Sequence, residues 1–375
     1  MSAPSEPGAS APPNPAAPPA APTFTDPARA AQFAAWLAAI APRFGLQPAS
    51  VRSASADASF RRYFRVDAAN GASFIIMDAP PAQENCAPFV QVARLLHEAG
   101  LTAPEVLAWD EAQGFMLLSD LGPTTMMACL SAERPAAAAP YFAAATDVLV
   151  QWQGASRAGV LPPYDEALLR RELALFPDWY LARHRGLTLS AAQAEVLART
   201  DALLVRQALA VPRVYVHRDF MPRNLMVLPG TQAPPRLGVL DFQDAVEGPI
   251  TYDIASLLRD AFLSWEEDFV LDVTVRYWEK ARKAGLMDFE DWHADFGAFW
   301  RAVEWMGLQR HLKVAGIFAR LTLRDGKPQY LADAPRFIAY IRATAARYRE
   351  FTPLLRMIDE VEGLQAASGW AFGRV

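Results

Sequence analysis

The spacing of apolar positions divides the chain into a short tail, a strand-rich segment and a long helical segment. From Asp26 onward, Phe33, Trp36, Leu37 and Ile40 recur at helical spacing before Pro42, which predicts an opening helix. Runs with strand character follow, and the turn residues Asn70-Gly71 separate two of them. The predicted strands are 51–56, 61–67, 73–78, 106–109 and 114–118.

These elements predict an α+β fold with two lobes. A helix is expected at 85–99, so residues 25–120 are expected to form a small antiparallel-sheet lobe. Beyond Pro123 the apolar spacing is mostly helical, and residues 121–375 are expected to form a mainly helical lobe. Residues 1–24 are rich in Ala and Pro and are predicted to be a disordered tail.

Composition narrows the classes of partner. The chain has 375 residues, of which 52% are hydrophobic, enough for a two-lobed enzyme. A formal net charge of −5 and the lack of a basic run give no indication of nucleic-acid or membrane-surface binding. A small-molecule partner is therefore expected.

The cysteines and the apolar runs indicate the cellular compartment to expect for the protein. Cys86 and Cys129 are the two cysteines, with neither metal-ligand spacing nor a disulfide framework, which favours a reducing compartment. The N-terminus has no secretory signal pattern, and charges interrupt later apolar runs before membrane-spanning length. We expect a cytoplasmic protein.

One stretch carries the chemistry of phosphoryl transfer. An apolar strand leads into His217 and Asp219, Asn224 follows, and a second apolar strand leads into Asp241. Phosphoryl transfer needs a carboxylate at the acceptor hydroxyl, here Asp219, and hard oxygen ligands for Mg²⁺ on ATP, here Asn224 and Asp241. His217 is expected to brace the loop. The alternative is two buried strands that end in polar turns, with Asp and Asn capping backbone amides.

These motifs resemble the aminoglycoside phosphotransferase and choline kinase family, which shares its fold with protein kinases. The resemblance covers residues 48–340, and within the family four segments are similar to the bacterial kinases that phosphorylate the anomeric hydroxyl of N-acetylmuramate and N-acetylglucosamine. These segments are Asp57-Ala-Ser-Phe-Arg-Arg-Tyr-Phe-Arg65, Met77-Asp-Ala-Pro-Pro81, His217-Arg-Asp-Phe-Met-Pro-Arg-Asn224 and Gln309-Arg-His-Leu-Lys-Val-Ala-Gly-Ile-Phe-Ala-Arg320.

The resemblance implies a protein-kinase-like two-lobed fold, ATP and Mg²⁺ as cofactors, and an amino sugar as substrate. It implies that the lobe of residues 25–120 binds ATP and that the lobe of residues 121–375 carries catalysis and substrate binding. It also implies a role in the recycling of peptidoglycan sugars, in which a uridylyltransferase would use the sugar 1-phosphate. Main-chain groups of the lobe-connecting segment Ser119-Asp-Leu-Gly122, which includes Asp120, and of Leu118 just before it are expected to bind the adenine edge. An ordinary loop is the alternative for this segment.

The sequence departs from the kinase pattern at the phosphate site. The first lysine in the chain is Lys280, so the small lobe cannot supply the strand lysine that contacts the α- and β-phosphates in protein kinases. We expect the cluster Arg61, Arg62 and Arg65 to supply this positive charge, assisted by Ser59, because a guanidinium group binds two phosphate oxygens at once. Adjacent strand residues point to opposite faces, so either Arg61 and Arg65 or Arg62 is expected to reach phosphate. A solvated surface charge is the alternative for each arginine.

The remaining candidate residues concern support of the loop and the acceptor. Asp253 resembles the family aspartate that holds the catalytic loop, and it is also an acidic residue in the first turn of a helix. Arg223 could stabilise charge beside the reacting phosphate or meet an acidic substrate. The other substrate-binding candidates are Glu172, Asp178, Arg259 and Arg310; core packing is the alternative for the aromatic residues beside Asp178.

Two rival functions stay open. The first is a kinase for another alcohol, such as an aminoglycoside, choline or homoserine, because the catalytic motif is shared while the pocket varies. Arginines near the site favour a neutral or anionic sugar over a polycationic antibiotic. The second rival is a nucleotide-binding pseudokinase, suggested by the missing lysine and glycines.

Overall fold

The computed structural model describes residues 24–55, 60–230 and 234–364. Contacts group the chain into two compact units, Met1–Cys86 with Glu105–Asp120, and Ala87–Pro104 with Leu121–Val375. The tail predicted for residues 1–24 thus lies outside the described residues except for Phe24. None of the helices in the described ranges has the length and apolar character that a membrane crossing requires.

The first unit contains a five-stranded antiparallel sheet in the order β1-β2-β3-β5-β4. All five strands lie within one residue of the predicted limits, because turn residues such as Gly71, with φ of 82°, bound the apolar runs. The strands are β1 (Arg52–Ser55), β2 (Arg62–Asp67), β3 (Ser73–Asp78), β4 (Val106–Asp110) and β5 (Phe115–Ser119).

A single helix, α1 (Pro27–Phe44), covers this sheet. Its apolar face buries Phe33, Trp36 and Leu37 in a core shared with strand residues, and the Trp36 ring stacks on Phe115 at a centroid distance of 5.3 Å. The helix contains Pro42 in its last turn and ends at Phe44, where Gly45 provides the left-handed C-cap, with φ of 64°.

The second unit is mainly helical. It contains α2 (Ala87–Glu98), which the sequence pattern placed with the first lobe; here the Phe89 ring contacts Phe242, with centroids 4.8 Å apart. A π-helical segment spans Phe176–His184. The other helices are α3 (Pro135–Gly154), α4 (Glu166–Leu173), α5 (Ala191–Ala210), α6 (Thr251–Leu258), α7 (Glu267–Lys283), α8 (Phe296–Leu323), α9 (Ala334–Arg347) and α10 (Thr352–Glu362).

Helix α8 runs through the centre of this unit, and 18 of its residues are buried. It passes so close to the start of the π-helical segment that a Cβ atom on Gly316 would lie 2.3 Å from the Leu175 carbonyl oxygen. Only glycine permits this approach without a shift of the backbone. Side chains from the middle of α8 therefore reach the interior of the unit, close to α4.

Two short antiparallel strand pairs hold the segments that carry the phosphotransfer motif. Strand β6 (Arg213–Val216) pairs with β9 (Val246–Pro249), and β7 (Leu225–Val227) pairs with β8 (Leu237–Val239). The loop after β6 carries His217 and Asp219, while the loop after β8 carries Asp241. The strand pairs thus place two polar loops on a rigid base.

Candidate active site

The loop that follows β6 is held by a carboxylate in the first turn of α6. The Oδ2 atom of Asp253 accepts a hydrogen bond from the His217 backbone N–H at 2.7 Å, and its Oδ1 accepts one from the Arg218 N–H at 3.0 Å. Arg218 has φ of 77°, a left-handed conformation that costs a non-glycine residue about 1 kcal/mol or more. The two bonds to Asp253 hold the loop in this conformation.

Asp253 is completely buried. Burial raises the pKa of its carboxyl to about 7, against the opposing effect of the two backbone N–H donors. The carboxylate touches the backbone of the catalytic loop and has no described contact with the Asp219 side chain. Asp253 thus contacts the catalytic loop that the sequence predicted it to hold.

His217 is also buried, and its two ring nitrogens have different partners. The Nε2–H donates to the Leu240 carbonyl at 2.9 Å, while Nδ1 accepts from the Asp219 backbone N–H at 3.2 Å. Because Nδ1 acts as an acceptor, the imidazole is neutral, and burial lowers the pKa of His217 to about 4. His217 therefore ties the loop of Asp219 to the end of β8, in agreement with the predicted bracing role.

This assignment has a measurable consequence for stability. Because the folded pKa of His217 is lower than the unfolded value, the neutral ring contributes stability above about pH 6.5, and this contribution is lost as the pH falls toward 4. Between pH 7 and pH 5, urea unfolding of the wild type should lose about 2 kcal/mol more than that of His217→Gln.

The exposed His293 provides the matched control, since His293→Gln should keep the wild-type dependence of stability on pH. Identical pH slopes for the wild type and His217→Gln would show that His217 is not held neutral in the folded protein.

Asp219, Asn224 and Asp241 are brought together, as the spacing predicted. The Asn224 Nδ2 donates to the Asp219 carbonyl at 2.9 Å and to Asp241 Oδ2 at 3.3 Å. The Asn224 carbonyl accepts from the Leu240 N–H at 2.9 Å, which joins the two loops through the main chain. Asp219 is half-buried and Asp241 is exposed.

The conformation of Asp241 is unusual and is held by a neighbour. Its φ of 61° lies in the left-handed region, and the Gln243 Nε2 donates to its Oδ1 at 2.8 Å. Two amide groups, those of Gln243 and Asn224, thus orient the two carboxylate oxygens. Strain at a surface loop residue that is held by several contacts is typical of functional sites.

The donor set fits a hard divalent cation. Asn224 and Asp241 supply amide and carboxylate oxygens, the ligand types that Mg²⁺ prefers, and phosphate and water can complete an octahedral shell. The residues that the structure describes contain no cluster of three or more His, Cys, Asp or Glu side chains suited to a metal. A cation held mainly by nucleotide phosphates, with two protein ligands, matches this arrangement.

Glu172 occupies a different position from the one predicted. It is 4% exposed, and its Oε1 accepts from Arg218 Nη2 at 2.5 Å and from Lys313 Nζ at 2.9 Å, while Oε2 accepts from the Tyr164 hydroxyl. Burial opposes ionisation, but Lys313 and Arg218 hold the pKa of Glu172 down to about 2. Since both oxygens have partners inside the protein, we correct its assignment from sugar binding to support of the loop.

The predicted substrate arginines have internal partners of their own. The Arg223 guanidinium lies over the Phe262 ring, 4.9 Å from its centroid, and Arg259 Nη2 donates to Glu267 Oε2 at 2.6 Å. Arg310 is 2% exposed and donates to the Arg259 carbonyl at 3.3 Å. Asp178, on the π-helical segment, is exposed.

A buried carboxylate lies near two of these arginines, Arg310 and Arg223. Asp260 is completely buried, and burial raises its pKa to about 6, while the charges of Arg310 and Arg223 act in the opposite direction. A positively charged region thus lies next to Asn224, where Arg223 is the preceding residue. Sequence reasoning did not identify Asp260.

In the first unit, the arginines predicted to bind phosphate form ion pairs. Arg61 Nη2 lies 3.0 Å from Glu84 Oε2, and Arg62 pairs with Asp78, which also accepts from Arg29. Each of these arginines has a carboxylate partner within the unit, and Asp78 is shared between two of them. Ser59 lies outside the described residues.

The predicted adenine-binding segment is partly strand. Leu118 is a buried residue of β5, and its side chain is 2% exposed. The Asp120 carboxylate accepts from Arg65 Nε at 2.6 Å and from the Ser73 hydroxyl at 2.7 Å. A role for these two positions in adenine binding would therefore use their main-chain groups, as the resemblance implied.

Comparison with known proteins agrees with this geometry. The sequence pattern of the phosphotransferase enzyme family matches residues 50–300, a range that includes His217, Asp219, Asn224, Asp241 and Asp253. The chain belongs to the phosphotransferase enzyme family. This phosphotransferase is 50% identical over 357 residues to the N-acetylmuramate/N-acetylglucosamine kinase of Pseudomonas aeruginosa. The alignment covers 92% of this chain and 100% of that relative.

Solved structures show the fold of this phosphotransferase. An ethanolamine kinase of Plasmodium vivax superposes with a TM-score of 0.58 at 12% identity, covering 89% of this chain and 91% of the other. The amicoumacin kinase hAmiN, solved with AMP-PNP and Ca²⁺, gives a TM-score of 0.56 at 17% identity, covering 84% and 94%. These similarities confirm the predicted protein-kinase-like fold, and family membership implies a nucleotide as phosphoryl donor.

Sequence reasoning assigned no individual role to three further residues at the site of this phosphotransferase. Arg218 lies inside the quoted catalytic motif, Gln243 follows Asp241 by two positions, and Lys313 lies inside the quoted 309–320 segment. The detectable signal was Lys313, since it is one of only four lysines in the chain and the apolar run Val314-Ala315-Gly316-Ile317-Phe318 follows it directly.

Proposed function

We propose that this phosphotransferase transfers the γ-phosphoryl group of ATP to the anomeric hydroxyl of N-acetylmuramate and N-acetylglucosamine. The observation that carries the proposal is the 50% identity to the Pseudomonas aeruginosa relative of that name, aligned over the whole of that relative. The site supports it, because a carboxylate and two oxygen ligands lie on adjoining loops.

In the proposed reaction Asp219 accepts the proton of the sugar hydroxyl as its oxygen bonds to the γ-phosphorus and ADP leaves. Asp219 contributes chiefly by orienting the nucleophile, since the transition state of phosphoryl transfer is loose. Asn224 and Asp241 would hold Mg²⁺, which neutralises charge on the β- and γ-phosphates when bound. His217 and Asp253 keep the loop in place.

Residues of the first unit are proposed to bind the nucleotide. Leu118 and Asp120 would contact adenine through the main chain, and Ser59, Arg61 and Arg62 would contact phosphate. The arginines would exchange Glu84 and Asp78 for phosphate oxygens, a substitution that keeps each charge paired. Arg61 and Arg62 would thus supply the positive charge of the missing strand lysine.

Arg223 is the strongest candidate to recognise the lactyl carboxylate of N-acetylmuramate. It directly precedes Asn224, and it is half-buried, whereas Arg310 is almost fully buried and would act only through Arg259 and Asp260. Arg259, tied to Glu267, and the exposed Asp178 are proposed as secondary contacts to the sugar. A guanidinium and a carboxylate pair well where water is partly excluded.

The experiment compares wild type and Arg223→Gln in steady-state assays of ATP consumption with N-acetylmuramate, N-acetylglucosamine, kanamycin, choline and homoserine. We expect turnover of the two amino sugars only. If Arg223 binds the carboxylate, Arg223→Gln should raise the KM for N-acetylmuramate about 10- to 100-fold and leave N-acetylglucosamine within a few-fold.

Other outcomes separate the alternatives. An equal fall in kcat for both sugars would instead assign Arg223 to stabilisation of the phosphate charge. Preferred turnover of kanamycin, choline or homoserine would make the protein a kinase for another alcohol. Binding of nucleotide without turnover of any acceptor would indicate a pseudokinase.

The cellular role is proposed from the same relatives. We propose that this phosphotransferase is a cytoplasmic enzyme that recycles amino sugars released from peptidoglycan. Its product, a sugar 1-phosphate, has the chemistry that a uridylyltransferase consumes, since attack of that phosphate on UTP gives a UDP-sugar and pyrophosphate.

A further inference from the structure

Lys313 is placed unusually for a lysine. It lies in the middle of α8 and is 7% exposed, whereas the other three lysines of the chain, Lys280, Lys283 and Lys327, are half-buried or exposed. Its Nζ contacts Glu172 Oε1 at 2.9 Å and the Tyr252 hydroxyl at 2.9 Å. Burial opposes its charge, but Tyr252 and Glu172 outweigh this and raise the pKa of Lys313, so the ammonium stays charged.

Glu172 is the centre of this group. Besides Lys313 and Tyr164, it contacts Gln309 Nε2 at 3.3 Å, and Gln309 precedes Lys313 by one helical turn on the same face of α8. Its fourth partner is Arg218. One carboxylate on α4 thus joins helix α8 to the loop that follows β6.

Arg218 carries this connection to both catalytic loops. Its backbone N–H is held by Asp253, its Nη2 donates to Glu172 at 2.5 Å, and its Nη1 donates to the Asp244 carbonyl at 3.4 Å. Asp244 follows Asp241 by three residues, and Asp219 follows Arg218 directly. The Arg218 side chain therefore spans the loop of the proposed base and the loop of the proposed metal ligand.

We propose that Glu172 and Lys313 are positioning residues that set the distance between Asp219 and Asp241 through Arg218. The proposal rests on the proposed roles of those two aspartates. Lys313 fixes Glu172, Glu172 fixes the Arg218 guanidinium, and the guanidinium fixes the loop of Asp241 relative to Asp219. A buried ion group of this kind adds little net stability compared with apolar packing, so geometry is the better reason for its presence.

The test uses Glu172→Gln, Lys313→Met, the conservative Lys313→Arg and the milder Tyr164→Phe, which removes only the hydroxyl that contacts Glu172. We expect Glu172→Gln and Lys313→Met to lower kcat about 10- to 100-fold, because small errors in the position of reacting groups are costly. The Mg²⁺ concentration for half-maximal activity should rise several-fold. Lys313→Arg should recover most of the lost kcat, and Tyr164→Phe should lower kcat by about 2- to 5-fold.

A second readout does not depend on turnover. Binding of Mn²⁺ in the presence of a non-hydrolysable ATP analogue, followed by electron paramagnetic resonance, should weaken in Glu172→Gln and recover in Lys313→Arg. Glu304 offers a matched control, because it is also buried and accepts from an arginine and a tyrosine, Arg347 and Tyr348. Glu304→Gln should lower the unfolding temperature but keep kcat and Mn²⁺ affinity within about twofold.

The outcomes separate this proposal from the proposed function. Wild-type kcat, Mg²⁺ dependence and Mn²⁺ affinity in the folded variants, with only reduced thermal stability, would overturn the positioning role. If Glu172→Gln and Lys313→Met do not fold, unchanged kinetics in Tyr164→Phe would overturn it in the same way. If the wild type turns over neither amino sugar, the proposed function fails. If Asp219→Asn keeps turnover, the role of Asp219 as base fails, whereas an inactive Asp219→Asn beside unimpaired Glu172 and Lys313 variants refutes positioning alone.

Discussion

Asp219→Asn is expected to lower kcat by about 10²- to 10⁴-fold while the protein stays folded and still binds nucleotide. The amide keeps the shape of the side chain but cannot accept the hydroxyl proton, and it presents an N–H group where the nucleophile should be oriented by a carboxylate oxygen. The backbone contacts of the loop, from Asp219 N–H to His217 and from Asn224 to the Asp219 carbonyl, do not involve the substituted atoms. Folding should therefore be preserved.

Initial rates at saturating sugar and Mg-ATP, with nucleotide affinity from calorimetry, measure this effect. Asp268, an exposed residue in the first turn of α7, gives the control: Asp268→Asn should keep wild-type kcat. A kcat for Asp219→Asn within about tenfold of the wild type would remove Asp219 from the role of base.

Asp253→Ala is expected to destabilise the protein by about 3–5 kcal/mol and to abolish activity at the same time. The substitution leaves the buried N–H groups of His217 and Arg218 without acceptors and releases Arg218 from its left-handed conformation. Asp253→Asn should lie between wild type and Asp253→Ala, because its amide oxygen can accept one of the two hydrogen bonds.

Urea unfolding and kcat, measured on the same preparations, check both effects. Asp272→Ala is the control, since Asp272 forms an exposed i,i+4 pair with Arg276 that contributes at most about 0.5 kcal/mol. If Asp253→Ala unfolded at the wild-type urea concentration, Asp253 would not be the residue that holds the catalytic loop.

The sequence predicted the parts of the molecule that depend on local pattern. The strands of the first unit were located within one residue, because apolar runs and turn residues are adjacent in the chain. The clustering of Asp219, Asn224 and Asp241 was likewise predictable, since short strands deliver all three to neighbouring loops.

The partners of charged residues were harder to predict, because they come from distant segments. Glu172 lies 46 positions before Arg218, and nothing local to Glu172 indicates that a buried lysine on α8 also reaches it. The partners of Arg61 and Arg62 were equally hard to predict. Their charge is visible in the sequence, whereas the ion pairs with Glu84 and Asp78 depend on tertiary packing. Residue type therefore indicated the chemistry of the site but not its supporting partners from distant segments, such as Glu172 and Lys313.

The position of the transferred phosphate tests the central claim most directly. N-Acetylglucosamine labelled with ¹³C at carbon 1 would be incubated with ATP, Mg²⁺ and the wild-type protein or Asp219→Asn, and the product examined by ³¹P and ¹³C NMR. We predict a phosphate resonance coupled to the labelled carbon, formed by the wild type and absent with Asp219→Asn. A phosphorylated sugar without that coupling, or the same product from Asp219→Asn at the wild-type rate, would contradict an anomeric kinase that uses Asp219.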